Sequence, residues 1–190
     1  GSGTVSPSIV QNVTSGNTTQ FTLTPGTGYH IASVGGTCGG SLVGTTYTTA
    51  AITANCTVIA NFTIDTFDLT YTAGAGGSIT GVSPHTVDYG TSGTQVTAVP
   101  NLHYHFVNWS DGSTANPRTD VNVTSNITVT ANFAVSTYTL TYTAGANGTL
   151  SGTSPQTVSY GGSGSAVTAV ANSAYAFTNW SDGSTDNPRT

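Results

Sequence analysis

The chain has 190 residues, a formal net charge of -5, and charges supplied by two Arg and seven Asp, with no Lys or Glu. Charged residues are 5% of the sequence, far below the ~25% of ordinary domains, so the surface must be built from hydroxyls and amides. This balance argues against nucleic acid, whose phosphates need clustered Lys and Arg, and against an anionic membrane surface.

No apolar run is long enough to span a bilayer, so no membrane insertion is expected in this segment. No signal peptide opens the chain, and any signal or anchor is expected to have been removed or to lie outside it. The Gly, Ser and Thr content would permit disorder. Against that, Val, Ile, Leu, Phe, Tyr and Trp recur in alternating patterns that disordered chains lack.

The chain repeats itself. Residues 65–119 lie over residues 136–190 at a spacing of ~71, and Asn-Trp-Ser-Asp-Gly-Ser-Thr stands letter for letter at 108–114 and 179–185. Three units follow: 1–64, 65–135 and 136–190.

In the first unit, Tyr29-His30-Ile31 matches Tyr104-His105-Phe106 of the second, and Ala60-Asn61-Phe62 matches Ala131-Asn132-Phe133. Nothing in it corresponds to residues 66–72, so a first strand is expected to be missing. It replaces Trp109 by Val34 and alone carries cysteines.

The second unit reads as complete. Phe67-Asp68-Leu69-Thr70-Tyr71 alternates apolar with polar, the period of a half-buried strand. Residues 73–77 read as a glycine turn, 78–80 as a short strand, and Ser83-Pro84 as the start of a loop. Residues 94–99 and 104–109 are the next strands, and 126–133 closes the unit with Ile127, Val129 and Ala131 on one face. The third unit has no counterpart of 126–133, so a last strand is expected to be missing. No segment has a helical period.

A unit of this size has a thin core, and a missing strand would leave an unpaired edge. Either this is a slice of a longer array, or neighbouring repeats or copies of the chain supply the strands.

Trp109 and Trp180 read as core anchors, together with Phe106, Phe177, Tyr104 and Tyr175; an exposed sugar platform is the alternative. Cys38 and Cys56 point to a disulfide closing a loop of ~18 residues, worth ~3 kcal/mol in the chain-entropy model, with two core thiols as the alternative. The disulfide is expected to replace the missing Trp as the staple of the first unit. His103 and His105 share a strand face at a spacing compatible with metal ligation, but the third unit has Ala174 and Ala176 there, so surface histidines are the better reading.

Asp111-Gly112 and Asp182-Gly183 read as turns, since a calcium loop needs more carboxylates than stand nearby. Arg118 and Arg189 are expected to bond a nearby carboxylate or loop carbonyls. Asn-x-Ser/Thr triplets recur, as they must in so Asn- and Thr-rich a chain, and modification is left open. No catalytic constellation, metal or cofactor is evident: no Ser or Thr has a recurring His to activate it.

Tyr-Thr-Leu-Thr-Tyr at 138–142, Val-Ser-Tyr-Gly at 158–161, Phe-Thr-Asn-Trp-Ser-Asp-Gly at 177–183 and Val-Thr-Ala-Asn-Phe at 129–133 together resemble the divergent internalin B-type repeats of bacterial surface proteins. The resemblance covers nearly the whole chain. It implies an all-β array of small β-grasp-like repeats, outside the cell or on its surface, and brings no catalytic residues. The expected function is structural, as a stalk or fibre segment whose partners are adjacent repeats or other copies. A carbohydrate-binding module, with Tyr71 and Tyr142 as the exposed aromatics, is the alternative.

Overall fold

A computed structural model describes residues 2–190, in which there are strands and turns but no helix. The first repeat holds β1 (Gly3–Ser6), β2 (Gln20–Pro25), β3 (Tyr29–Gly36), β4 (Gly40–Val43), β5 (Thr46–Thr49) and β6 (Val58–Ile64). The middle repeat holds β7 (Thr66–Ala73), β8 (Gly77–Thr80), β9 (His85–Asp88), β10 (Thr97–Pro100), β11 (Tyr104–Trp109) and β12 (Ile127–Val135). The last holds β13 (Thr137–Leu140), β14 (Gly148–Ser151), β15 (Gln156–Ser159) and β16 (Thr168–Ala171). The chain is an all-β tandem repeat, as its alternating pattern requires.

Packing divides it differently from the sequence repeat. One compact unit comprises residues 2–72, Thr80–Thr97 and Asn116–Val129; the other comprises Ala73–Ile79, Ala98–Ala115 and Thr130–Thr190. The core of the first is Leu23, Tyr47, Leu69, Tyr71, Val87, Val96, Val123 and Val129; that of the second is Ala98, Trp109, Ala131 and Val167.

The complete sheet has the order β11-β12-β7-β9. Trp109 faces Ala131 and Phe106 faces Phe133, with a bulge between Phe106 and Asn108. A regular strand would send residues three apart to opposite faces. The extra residue puts both rings on one side, with centroids 5.8 Å apart and edge to face. The first repeat bulges at the same place: in β3 the register shifts between Ile31 and Ser33, and Val34 faces Ala60 of β6 where Trp109 faces Ala131. Cys38 and Cys56 are joined just past the end of that pair, where Gly36 faces Val58.

Several elements differ from the reading of the sequence. β9 directly follows Pro84, which was expected to open a loop; a proline is tolerated just before a strand because its missing N–H breaks no ladder bond there. Ser83 makes the turn productive, its hydroxyl accepting from the Tyr71 amide at 2.7 Å and donating to the Tyr71 carbonyl at 2.8 Å. β10 begins at Thr97, and Val96 ahead of it bridges Arg118 instead. Residues 175–180 are not a strand, because none of the described residues plays the part there that β12 plays for β11.

Tyr104 and Tyr175 are not core residues: they are 38% and 59% exposed. Tyr104 opens β11 and lies over Gly76, where an added Cβ would come within 2.3 Å of the ring. Trp180 and Phe177 are only half-buried, whereas Trp109 is 0% exposed. Trp109→Ala should therefore cost about 3–5 kcal/mol, comparable to the whole stability of a small domain. The check is the urea unfolding midpoint; an unchanged midpoint would deny the ring its core role.

Candidate functional site at the repeat junctions

A single residue separates the last strand of one repeat from the first strand of the next: Asp65 between β6 and β7, and Ser136 between β12 and β13. Both are tied on two sides. The Asp65 amide donates to the Gly28 carbonyl at 2.8 Å, and the Asp65 carbonyl accepts from the Tyr89 amide at 2.8 Å. The Ser136 amide donates to the His103 carbonyl and its carbonyl accepts from the Tyr160 amide, each at 2.8 Å.

The side chains close over the same places. The Tyr89 ring covers Gly28, whose φ is +73° and whose added Cβ would lie 2.3 Å from the ring. At the second junction His103, with φ of 68°, stacks on Tyr160 with ring centroids 3.3 Å apart. His103 thus sits in the turn before β11 in the left-handed region, as Ala174 does with φ of 66°. It does not share a strand face with His105, and among the described residues no group of three His, Cys, Asp or Glu could hold a metal. At the first junction Asp65 also bonds His30, Oδ1 to Nδ1, at 2.7 Å.

The repeat boundaries place both junctions in the sequence, but the contacts that tie them were missed. The signal was there in Asp88-Tyr89-Gly90 and Ser159-Tyr160-Gly161, a Tyr-Gly pair that recurs just past the ends of β9 and β15.

The Asn-Pro-Arg-Thr motif braces the second and third repeats. Arg118 and Arg189 pair through their backbones with Val96 and Val167. Arg118 forks onto Asp120 through Nε at 2.8 Å and Nη2 at 2.7 Å, and Asp120 also accepts from the Tyr71 hydroxyl at 2.6 Å. Arg189 instead forks onto the turn residue Asp182 at 2.8 and 2.5 Å and lies over the Trp180 ring. Asn187 bonds both the amide and the carbonyl of Ala169, standing in for a strand residue.

The turns behave alike in both copies. Asp111 Oδ1 accepts from the Ser113 amide and Asp182 Oδ1 from the Ser184 amide, each at 3.1 Å. Gly112 and Gly183 both take φ of 88°, which suits glycine. Each indole N–H finds a carbonyl, Trp109 on Ala115 at 2.9 Å and Trp180 on Asp186 at 2.8 Å.

Tyr71, expected as an exposed sugar platform, is 4% exposed. Burial, then the Asp120 carboxylate, push its phenol well above the usual tyrosine range. Tyr142 is half-buried and meets Trp180 edge-on at 5.5 Å. Tyr71 therefore presents no free face to a sugar.

Two predictions follow from this geometry. Gly28→Ala forces a side chain onto a left-handed backbone and into the Tyr89 ring, and should destabilise the first junction by ~1–3 kcal/mol. Faster amide exchange at Asp65 and Tyr89, with that at Ser136 unchanged, would register it.

The second concerns acid. Hydrogen bonds from Arg118 hold the Asp120 carboxyl below its ordinary value. Those from Arg189, then the Ser184 amide, bring Asp182 to about 2. Both folded-state values lie below the unfolded ~3.9. Their stabilisation is therefore complete above pH ~4 and is lost as pH falls through the folded values. Urea midpoints should be level from neutral pH down to about pH 5 and fall below about pH 4. Asp120→Asn should flatten part of that fall; midpoints level down to about pH 2 would mean that the pairs contribute nothing.

Searches for similar curated proteins and for similar solved structures found no match. The family model of the divergent InlB B-repeat domain matches residues 1–66, 67–137 and 138–190. With a one-residue junction close to each boundary between matched segments, the chain belongs to this family, a structural repeat family of bacterial surface proteins.

Proposed function

We propose that this chain is a load-bearing structural segment, part of a stalk or fibre, that works outside the cell. The observation that supports this best is the pair of one-residue junctions, each bonded on both sides. Tension passes from one repeat's closing strand into the next repeat's opening strand with no slack between them.

The middle repeat is built to resist such tension. Force enters at the start of β7 and leaves at the end of β12, and these strands are neighbours in the sheet. They run parallel: the Asp68 amide bonds Asn126 Oδ1 at 2.9 Å, Thr72 Oγ1 bonds the Val129 carbonyl at 3.4 Å, and the Gly74 amide bonds the Ala131 carbonyl at 2.9 Å. Pulling parallel neighbours from opposite ends loads their bonds side by side, in shear, so they share the force and fail together. The Cys38–Cys56 disulfide fits an oxidising, extracellular compartment. In this reading the partners are adjacent repeats and other copies of the chain.

Single-molecule pulling tests it. The middle repeat should give a distinct rupture followed by roughly 20–25 nm of extension, at higher force than the third repeat. Reducing the disulfide, which spans 18 residues, should add roughly 6 nm to the extension of the first. A middle repeat that yields at no higher force than the third would overturn the load-bearing role.

A further inference from the structure

Three places in this chain put glycine directly after Asn or Asp: Asp111-Gly112, Asn147-Gly148 and Asp182-Gly183. The pairing matters chemically. The amide nitrogen that follows such a residue can attack its side-chain carbonyl carbon, and glycine has no side chain to shield that nitrogen.

The fold treats the three pairs differently. The Gly112 amide donates to the Trp109 carbonyl at 2.8 Å, and the Gly183 amide to the Trp180 carbonyl at 2.9 Å. Both nitrogens are therefore engaged, and each neighbouring carboxylate already accepts from a Ser amide.

Gly148 is arranged otherwise. It opens β14 and faces Ala171 of β16. The next bond outward runs from the Asn172 amide to the Asn147 carbonyl, at 2.9 Å. Bonded and non-bonded positions alternate along an antiparallel pair, so Gly148 falls on a non-bonded position and points its amide away from β16. Among the described residues β16 is the one strand that pairs with β14. Asn147 itself is exposed.

The backbone explains why an Asn can stand here. The position heads the same short ladder in all three repeats: the carbonyls of Ser2, Gly76 and Asn147 each accept at 2.9 Å, from the amides of Gly26, Asn101 and Asn172. Gly76 and Asn147 both take a left-handed backbone, with φ of 92° and 64°. Glycine adopts that conformation freely and asparagine tolerates it. The third repeat thus fills the turn with a residue whose side chain can react.

We propose that Asn147 is a site of spontaneous covalent modification, deamidation, by which the third repeat ages. The deprotonated Gly148 nitrogen attacks Cγ of Asn147. A C–N bond forms, the side-chain nitrogen leaves as ammonia, and a cyclic imide closes. Water then opens the imide at either carbonyl. One product is an aspartate; the other is an isoaspartate, whose main chain runs through the former side-chain carbons. The sum is one water in and one ammonia out, with no oxidant and no enzyme. The isoaspartate adds a methylene to the main chain and turns the carbonyl that accepted from Asn172 into part of a free carboxylate. The ladder then loses the bond at its head. The middle repeat, with Gly76 in that place, is immune.

The test incubates the whole folded chain in mildly alkaline buffer and follows its peptides by mass spectrometry. An isoaspartyl methyltransferase with labelled S-adenosylmethionine marks the isoaspartate. Residue 147 should turn to acid at least tenfold faster than any other asparagine. Unfolding in urea should speed isoaspartate formation at 111 and 182 at least tenfold and leave the rate at 147 nearly unchanged. Gly148→Ala should slow the reaction at least tenfold, and Asn147→Gly, which copies the middle repeat, should abolish it. In the aged, folded chain the Asn172 amide should exchange faster while that of Asn101 is unaltered.

A rate at 147 that rises at least tenfold on unfolding would mean that the fold protects the site, and would overturn the proposal. Acid gained no faster at 147 than at the other asparagines would overturn it too.

Discussion

One nine-residue strand, β12, decides whether a repeat has a core. It lies between β11 and β7 and carries Val129 and Ala131 to the buried face. Where it is present, the tryptophan opposite Ala131 is sealed from water and the arginine motif docks in the shade of the sheet. Where no described strand takes its place, in residues 136–190, the same aromatic residues stand half in solvent, and two segments of matching sequence are without strand conformation. β-Structure here depends on the neighbour as much as on the residue. A strand without a partner has nowhere to place its backbone donors and acceptors.

The first repeat gives the mirror case. Ile9 and Val10 follow Ser6-Pro7 as Thr86 and Val87 follow Ser83-Pro84, yet Val10 is 89% exposed and Val87 is 7%. Val87 faces Phe67 of β7; no described strand stands in that place for Val10. The disulfide acts at another point, tying the far end of the β3–β6 pair where the bulged register leaves a small valine in place of the indole.

Much of this was legible in the sequence, because a repeat is its own comparison. Alternation gave β7, β11 and β12 nearly to the residue, the cysteine pair was visible by count, and the Asp-Gly turns by their chemistry. What escaped depended on partners distant in sequence. Pro84 reads as a break, and only the presence of β7 makes the residues after it a strand. Tyr104 looks like core by hydropathy, but it stands at the first position of β11, opposite Val135 and over Gly76, where part of its ring stays in water. The left-handed backbone at 103 was hidden because three different residues, Gly28, His103 and Ala174, occupy that place. The junctions were placed by the repeat boundaries, but the bonds that tie them went unseen because they are made by backbone, to which the side-chain pattern is blind.

The two arginines carry a consequence of another kind. Trypsin-like proteases cut only after Lys or Arg, and this chain has no Lys, so residues 118 and 189 are its entire set of targets. Arg118 is 7% exposed, paired through its backbone with Val96, and forked onto a carboxylate. Cleavage after Arg118 must wait for the repeat to open, and so reports the open fraction of the molecule. A composition almost without charge thus leaves such proteases few places to cut, and the fold keeps the internal one shut.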